Sequence, residues 1–192
     1  LLVGAQDVFW EEEGAYTGEI SVRMLSSAGC SYVIVGHSER RKYFGETDEI
    51  VNSKLKSVLE GGLKPVMCIG EMLDERRSGK TFKVIENQLK TGISGLSVDK
   101  LPMLTVAYEP VWAIGTGVNA SPEQIGEAHG FIRELLVDEF NIKDVRILYG
   151  GSVNADNAEQ ILMVNHVNGA LIGGASLKID VFSEIIEIAS KV

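Results

Sequence analysis

Short apolar runs alternate along the chain with stretches whose apolar residues recur every three or four positions. The runs at Leu1–Gln6, Tyr32–Val35, Lys64–Ile69, Leu104–Tyr108, Val145–Tyr149 and Gly169–Ile172 are short and bounded by glycine or polar residues. That is the pattern of strands buried on both faces. Ser121-Pro122-Glu123-Gln124 combines an N-cap serine, a first-turn proline and a capping-box glutamine, and leads into Ile125, Ala128, Ile132, Leu135 and Leu136 at helical spacing. Thr47-Asp48-Glu49 opens another helix, with Val51, Leu55, Val58 and Leu59 on one face and Gly61-Gly62 as its stop. Asp180 is expected to cap the last helix, with Phe182, Ile185, Ile186 and Ala189 on its buried side.

Six strand–helix units in 192 residues give about 32 residues per unit, the size of a βα repeat. Such alternation predicts an α/β fold with a parallel sheet, doubly wound or closed as a barrel. A closed (β/α)8 barrel runs to about 250 residues. The difference of about 58 residues is close to two units, which favours a barrel with six of its eight units present over a complete six-stranded open sheet. With no low-complexity linker, residues 1–192 read as one domain.

Composition narrows the function. A net charge of −9 without a Lys/Arg cluster argues against nucleic acid as a partner. No apolar run reaches a membrane-spanning length, so no membrane association is expected. Cys30 and Cys68 form no metal-ligand spacing and fit a reducing compartment, so the expected location is cytoplasmic.

The polar and glycine-rich clusters directly follow the predicted strands. They are Gly36-His37-Ser38-Glu39, Cys68-Ile69-Gly70-Glu71, Tyr108-Glu109-Pro110, Gly150-Gly151-Ser152 and Gly173-Gly174. Barrel enzymes build their sites at this end of the strands, and the glycine turns after the last two suit an anion. Glu109 is the leading base, because burial at a strand end makes a carboxylate more basic. A structural glutamate paired with a cation is the alternative. Pro110–Gly117 mixes apolar residues with glycine, the composition of a lid that settles over a ligand; a fixed loop is the other possibility. If Ser38-Glu39-Arg40 begins a helix, its amides keep His37 neutral. His129 and His166 read as structural, as do Cys68, Cys30, Arg40 and Arg41. Glu71 stands evenly between orienting the site and opening a helix.

These segments resemble triosephosphate isomerases. Ala107–Gly117 is similar to the active-site segment and lid of that family, and Gly36–Arg41 to its histidine motif. Tyr149–Ser152 and Gly173–Ser176 resemble its phosphate loops, while Gly4-Ala5-Gln6 and Gly14–Glu19 resemble its third strand and the following loop. The resemblance implies a TIM barrel that interconverts dihydroxyacetone phosphate and glyceraldehyde 3-phosphate with no cofactor and no metal. It implies Glu109 as base and His37 as electrophile, with Gly115, Ser152, Gly173 and Gly174 on the phosphate. Glu39, Glu71, Tyr149 and Ala120 would support the site or the closed lid. It further implies a homodimer, with Tyr16-Thr17-Gly18 inserting beside the partner's site.

The family's first strand carries an Asn-x-Lys segment that contacts the substrate. Nothing in this chain matches it, nor the first two βα units, and Glu39 is expected to lack the lysine it would pair with. Three readings follow: the isomerase; a truncated, inactive fragment that needs another chain to complete its barrel; and a phosphate-binding barrel with other sugar-phosphate chemistry. The last does not account for the Glu109 or His37 segments. The chain by itself is expected to show little isomerase activity.

Overall fold

The computed structural model describes residues 1–115 and 119–192. The chain forms two compact units, Leu1–Ile69 with Asn87–Val106, and Gly70–Glu86 with Ala107–Val192.

The first unit contains β1 (Val3–Ala5), α1 (Val22–Ser27), β2 (Cys30–Val35), α2 (Ser38–Phe44), α3 (Asp48–Glu60) and β3 (Lys64–Ile69). It also holds the second half of α5 (Thr81–Ile93) and the start of β4 (Thr105–Tyr108). β1 pairs in parallel with β2, and β2 with β3 in the register Val33↔Pro65 and Val35↔Met67. The strands stand in the order β1-β2-β3-β4. α3 begins as its sequence predicts, with the Thr47 hydroxyl accepting the Ile50 amide, and buries Val51, Leu55, Val58 and Leu59. Those positions repeat at helical spacing and share a core with Val33, Val35, Met67, Cys68 and Leu89.

The second unit contains α4 (Leu73–Arg77), the start of α5, the end of β4, α6 (Pro122–Asp138), β5 (Arg146–Tyr149), α7 (Ala155–Leu162) and α8 (Ile179–Ala189). β5 lies next to β4. Ser121 and Gln124 form the predicted capping box, each side chain accepting the other's amide at 3.3 and 2.9 Å. α6 then buries Ile125, Ala128, His129, Ile132, Leu135 and Leu136.

Five strands form where the periodicity predicts six. β1 is only three residues long, and Gly169–Ile172 makes a single parallel bridge, Ala170 to Tyr149. Its ladder bonds to β5 are present: Asn168 N donates to Ile147 O, Tyr149 N to Gly169 O and Leu171 N to Tyr149 O. Gly169 enters this run with φ 147°. α8 also departs from expectation. It starts at Ile179 without a side-chain cap, Asp180 lies within its first turn, and only Ile185 of the predicted stripe is buried.

Among the described residues, no helix is long and apolar enough to cross a membrane.

Candidate active site

Glu109 is the first residue after β4 and is 2 % exposed. Its backbone and stem run through a gap made by two glycines. A Cβ on Gly70 would lie 1.7 Å from Glu109 O, and one on Gly150 would lie 2.9 Å from Glu109 Cγ. Gly150 also donates its N–H to Tyr108 O at 2.7 Å. These two positions thus accept only glycine without a shift of the segment that carries Glu109. In the sequence Gly150 reads as part of an anion-binding turn and Gly70 only as part of a cluster at a strand end; the close approach of Glu109 to each becomes visible only in the folded unit.

Glu71 is fully buried and saturated with donors. Its carboxylate accepts the Tyr108 hydroxyl at 3.1 and 3.2 Å, Trp112 Nε1–H at 2.9 Å and Arg76 Nη1–H at 3.0 Å. Its carbonyl accepts the Val111 amide at 3.1 Å. Arg76 also lies over the Trp112 ring, 4.8 Å from the centroid. Burial, followed by the charge of Glu71, pushes the Tyr108 phenol far above its ordinary range, so Tyr108 acts only as a neutral donor. This cluster anchors the short helical turn Val111–Ala113, where the predicted lid begins. Arg76, five residues beyond Glu71, is a partner that the sequence alone does not single out.

Of the predicted phosphate ligands, Ser152 has a hydroxyl that donates to Ala113 O at 2.8 Å. Gly115, Gly173 and Gly174 are exposed, and a Cβ on any of them would meet nothing within 4 Å. Tyr149 is buried, which pushes its phenol up to about 12, with the Ala120 backbone acting in the opposite sense. The lid residues Thr116 and Gly117 lie outside the described residues.

In the first unit, His37 follows β2 after Gly36 and caps α2: its Nδ1 accepts the Glu39 amide at 3.3 Å. A nitrogen that accepts an N–H bond carries no proton, so this geometry assigns a neutral ring with its hydrogen on Nε2. The positive end of α2 reinforces that state. The Glu39 carboxylate is 68 % exposed and 3.9 Å from His37 Nδ1.

His129 and Cys68 are buried, as expected of structural residues, and His129 Nδ1 lies 3.2 Å from His166 O. Among the described residues, no three of His, Cys, Asp or Glu gather as metal ligands.

Parallel strands alternating with helices, with a buried carboxylate and an imidazole each set just beyond a strand, define an α/β protein with titratable groups at its strand ends. The triosephosphate isomerase family model matches residues 1–189. The triosephosphate isomerase of Citrifermentans bemidjiense is 56 % identical over 189 residues, covering 97 % of this chain and 75 % of the relative. That of Geobacter metallireducens is 52 % identical over the same shares, and that of Francisella tularensis is 54 % identical over 192 residues, 99 % of this chain and 76 % of the relative. The chain belongs to the triosephosphate isomerase family.

Proposed function

We propose that this chain interconverts dihydroxyacetone phosphate and glyceraldehyde 3-phosphate by proton transfer through an enediolate. The observation that carries this reading is the placement of Glu109, a buried carboxylate held just beyond β4 by two glycines that admit no larger residue. Glu109 takes the proton from the carbon beside the substrate carbonyl and returns it to the neighbouring carbon, while the hydroxyl proton passes from one substrate oxygen to the other. His37 donates from Nε2 to the substrate oxygens, which stabilises the enediolate as charge develops on them.

The amides of Gly115, Ser152, Gly173 and Gly174 hold the phosphate. Openness around the three glycines supports that role. Pro110–Gly117 closes over the intermediate and excludes water, with Glu71 and Tyr149 supporting it from beneath. Glu39 supports His37 through its amide. The single-domain reading rests on a family match that runs through both units. A homodimer whose Tyr16-Thr17-Gly18 loop reaches the partner, and a cytoplasmic location, complete the proposal. Exposure of Tyr16 supports the first and two free cysteines the second. Glu109→Asp is expected to lower turnover severely in a coupled isomerase assay while circular dichroism stays unchanged; an unchanged rate would remove Glu109 as the base.

A second reading is favoured by one observation. Leu1, Leu2 and Val3 lie on β1 or just before it and are all exposed, an apolar strand without cover. In that reading the isomerase site is complete only when a further segment or chain covers β1, and the chain alone turns over poorly. Intact mass, size in solution and turnover measured on one preparation separate the two readings.

A further inference from the structure

We propose that Arg41 is a positioning residue for the reaction, setting the plane of the peptide that carries His37. The inference rests on the isomerase reading, in which His37 donates from Nε2. Arg41 stands in the last turn of α2, and its guanidinium is anchored at three points. Nε donates to Gly36 O at 2.8 Å, Nη1 to Asp48 Oδ1 at 2.5 Å and Nη2 to Cys68 O at 3.3 Å. These anchors belong to the turn after β2, the first turn of α3 and the end of β3.

The bond to Gly36 O is the informative one. That carbonyl and the His37 N–H belong to one rigid peptide plane. Fixing the oxygen therefore fixes the direction from which the chain enters His37. Gly36 has φ +74°, a left-handed conformation suited to glycine, whose lack of a Cβ leaves the following plane loosely restrained unless something holds it. Val51 closes the remaining space, since a Cβ on Gly36 would stand 2.7 Å from Val51 Cγ2 and 3.2 Å from Arg41 Nη2. The imidazole is held at its other side by the Glu39 amide. One arginine thus ties the electrophile's peptide to two neighbouring elements, in the forked geometry that a lysine cannot reproduce.

Arg40, one residue earlier, provides the control. Its guanidinium makes ion pairs of the same type with Asp7 and Glu46, whereas the bond to Gly36 O comes from Arg41. In the purified protein, Arg41→Lys is expected to lower kcat about 100-fold with KM nearly unchanged, because a displaced donor weakens the transition state more than phosphate binding. Arg40→Lys is expected to reduce thermal stability while keeping kcat.

The readout that does not depend on turnover is the 15N spectrum of the His37 imidazole. The native protein is expected to show one protonated and one unprotonated nitrogen, and Arg41→Lys a mixture of tautomers. An Arg41→Lys protein with native kcat, or with an unaltered His37 spectrum, overturns the inference. So does an equal loss of kcat in Arg40→Lys. If Arg41→Lys does not fold, Asp48→Ala keeps the guanidinium but removes one anchor, and a native His37 spectrum in that variant counts against the proposal. A native protein that does not turn over removes the isomerase reading, while the His37 spectra still decide the role of Arg41.

Discussion

Gly70 lies so close to Glu109 that a methyl group on Gly70 would occupy the space of the Glu109 carbonyl, 1.7 Å away. The obstacle is backbone, which cannot rotate aside as a side chain can. Gly70→Ala is therefore expected to cost stability, about 1–3 kcal/mol, the ordinary penalty of overpacking. It should also displace Glu109 and reduce turnover in whatever fraction folds. Urea denaturation and kcat measured together check this; a native kcat would show that Glu109 tolerates the shift.

Glu71 joins the interior of its unit to the start of the proposed lid. Glu71→Ala strands the Tyr108 hydroxyl, Trp112 Nε1 and the Arg76 charge at once. The expected loss is about 3–5 kcal/mol, as for other broken buried pairs. Glu71→Gln keeps the shape and should lose less. Chemical denaturation ranks the two variants, and tryptophan emission should report release of Trp112.

Lys54 is buried and paired with Glu46 and with Asp7 at 2.5 Å, while Arg40 reaches the same two carboxylates. Burial pushes the Glu46 carboxyl up, but hydrogen bonds and charge from Lys54 and Arg40 outweigh it and hold the group below its ordinary value. Lys54→Met is expected to destabilise by about 3–5 kcal/mol. Lys54→Met with Glu46→Leu should lose less than the two single variants summed, because neither charge is then left alone. A thermodynamic cycle from denaturant titrations measures the difference.

Acid should destabilise the protein through His129. Burial lowers its pKa from 6.5 to about 4, so the folded state keeps the ring neutral while the unfolded chain takes up a proton below about 6.5. The unfolded state then binds more protons, and stability falls as pH falls from 6.5 toward 4, by about 3 kcal/mol in all. Glu46 acts in the same direction at lower pH, since its stabilising contribution is lost as the carboxyl protonates. Melting temperature measured between pH 7.5 and 4 should decline, and less steeply in His129→Asn.

Much of this was legible in the residue pattern because it is local. The caps at Thr47 and Ser121, and the helical turn after His37, depend on spacings of a few residues, and each forms as written. The placement of candidate groups just after strands follows from the same alternation. What escaped depends on contacts between distant segments. Nothing near Gly70 in the sequence announces the approach of Glu109. Arg41 read as an ordinary ion-pairing residue because its carbonyl partners lie on two different strand ends. Ile186 was placed on the buried side of α8 by spacing, yet it is 52 % exposed.

The proton transfer assigned to Glu109 is tested most directly by incubating dihydroxyacetone phosphate with the protein in D2O and following deuterium at the transferred position by NMR. The native protein is expected to incorporate solvent deuterium, because the abstracted proton exchanges while it resides on Glu109. Glu109→Gln is expected to incorporate none above the uncatalysed rate, while still binding inorganic phosphate. Incorporation by Glu109→Gln at the native rate would contradict the assignment; none by the native protein would instead favour the second reading, in which β1 must first be covered.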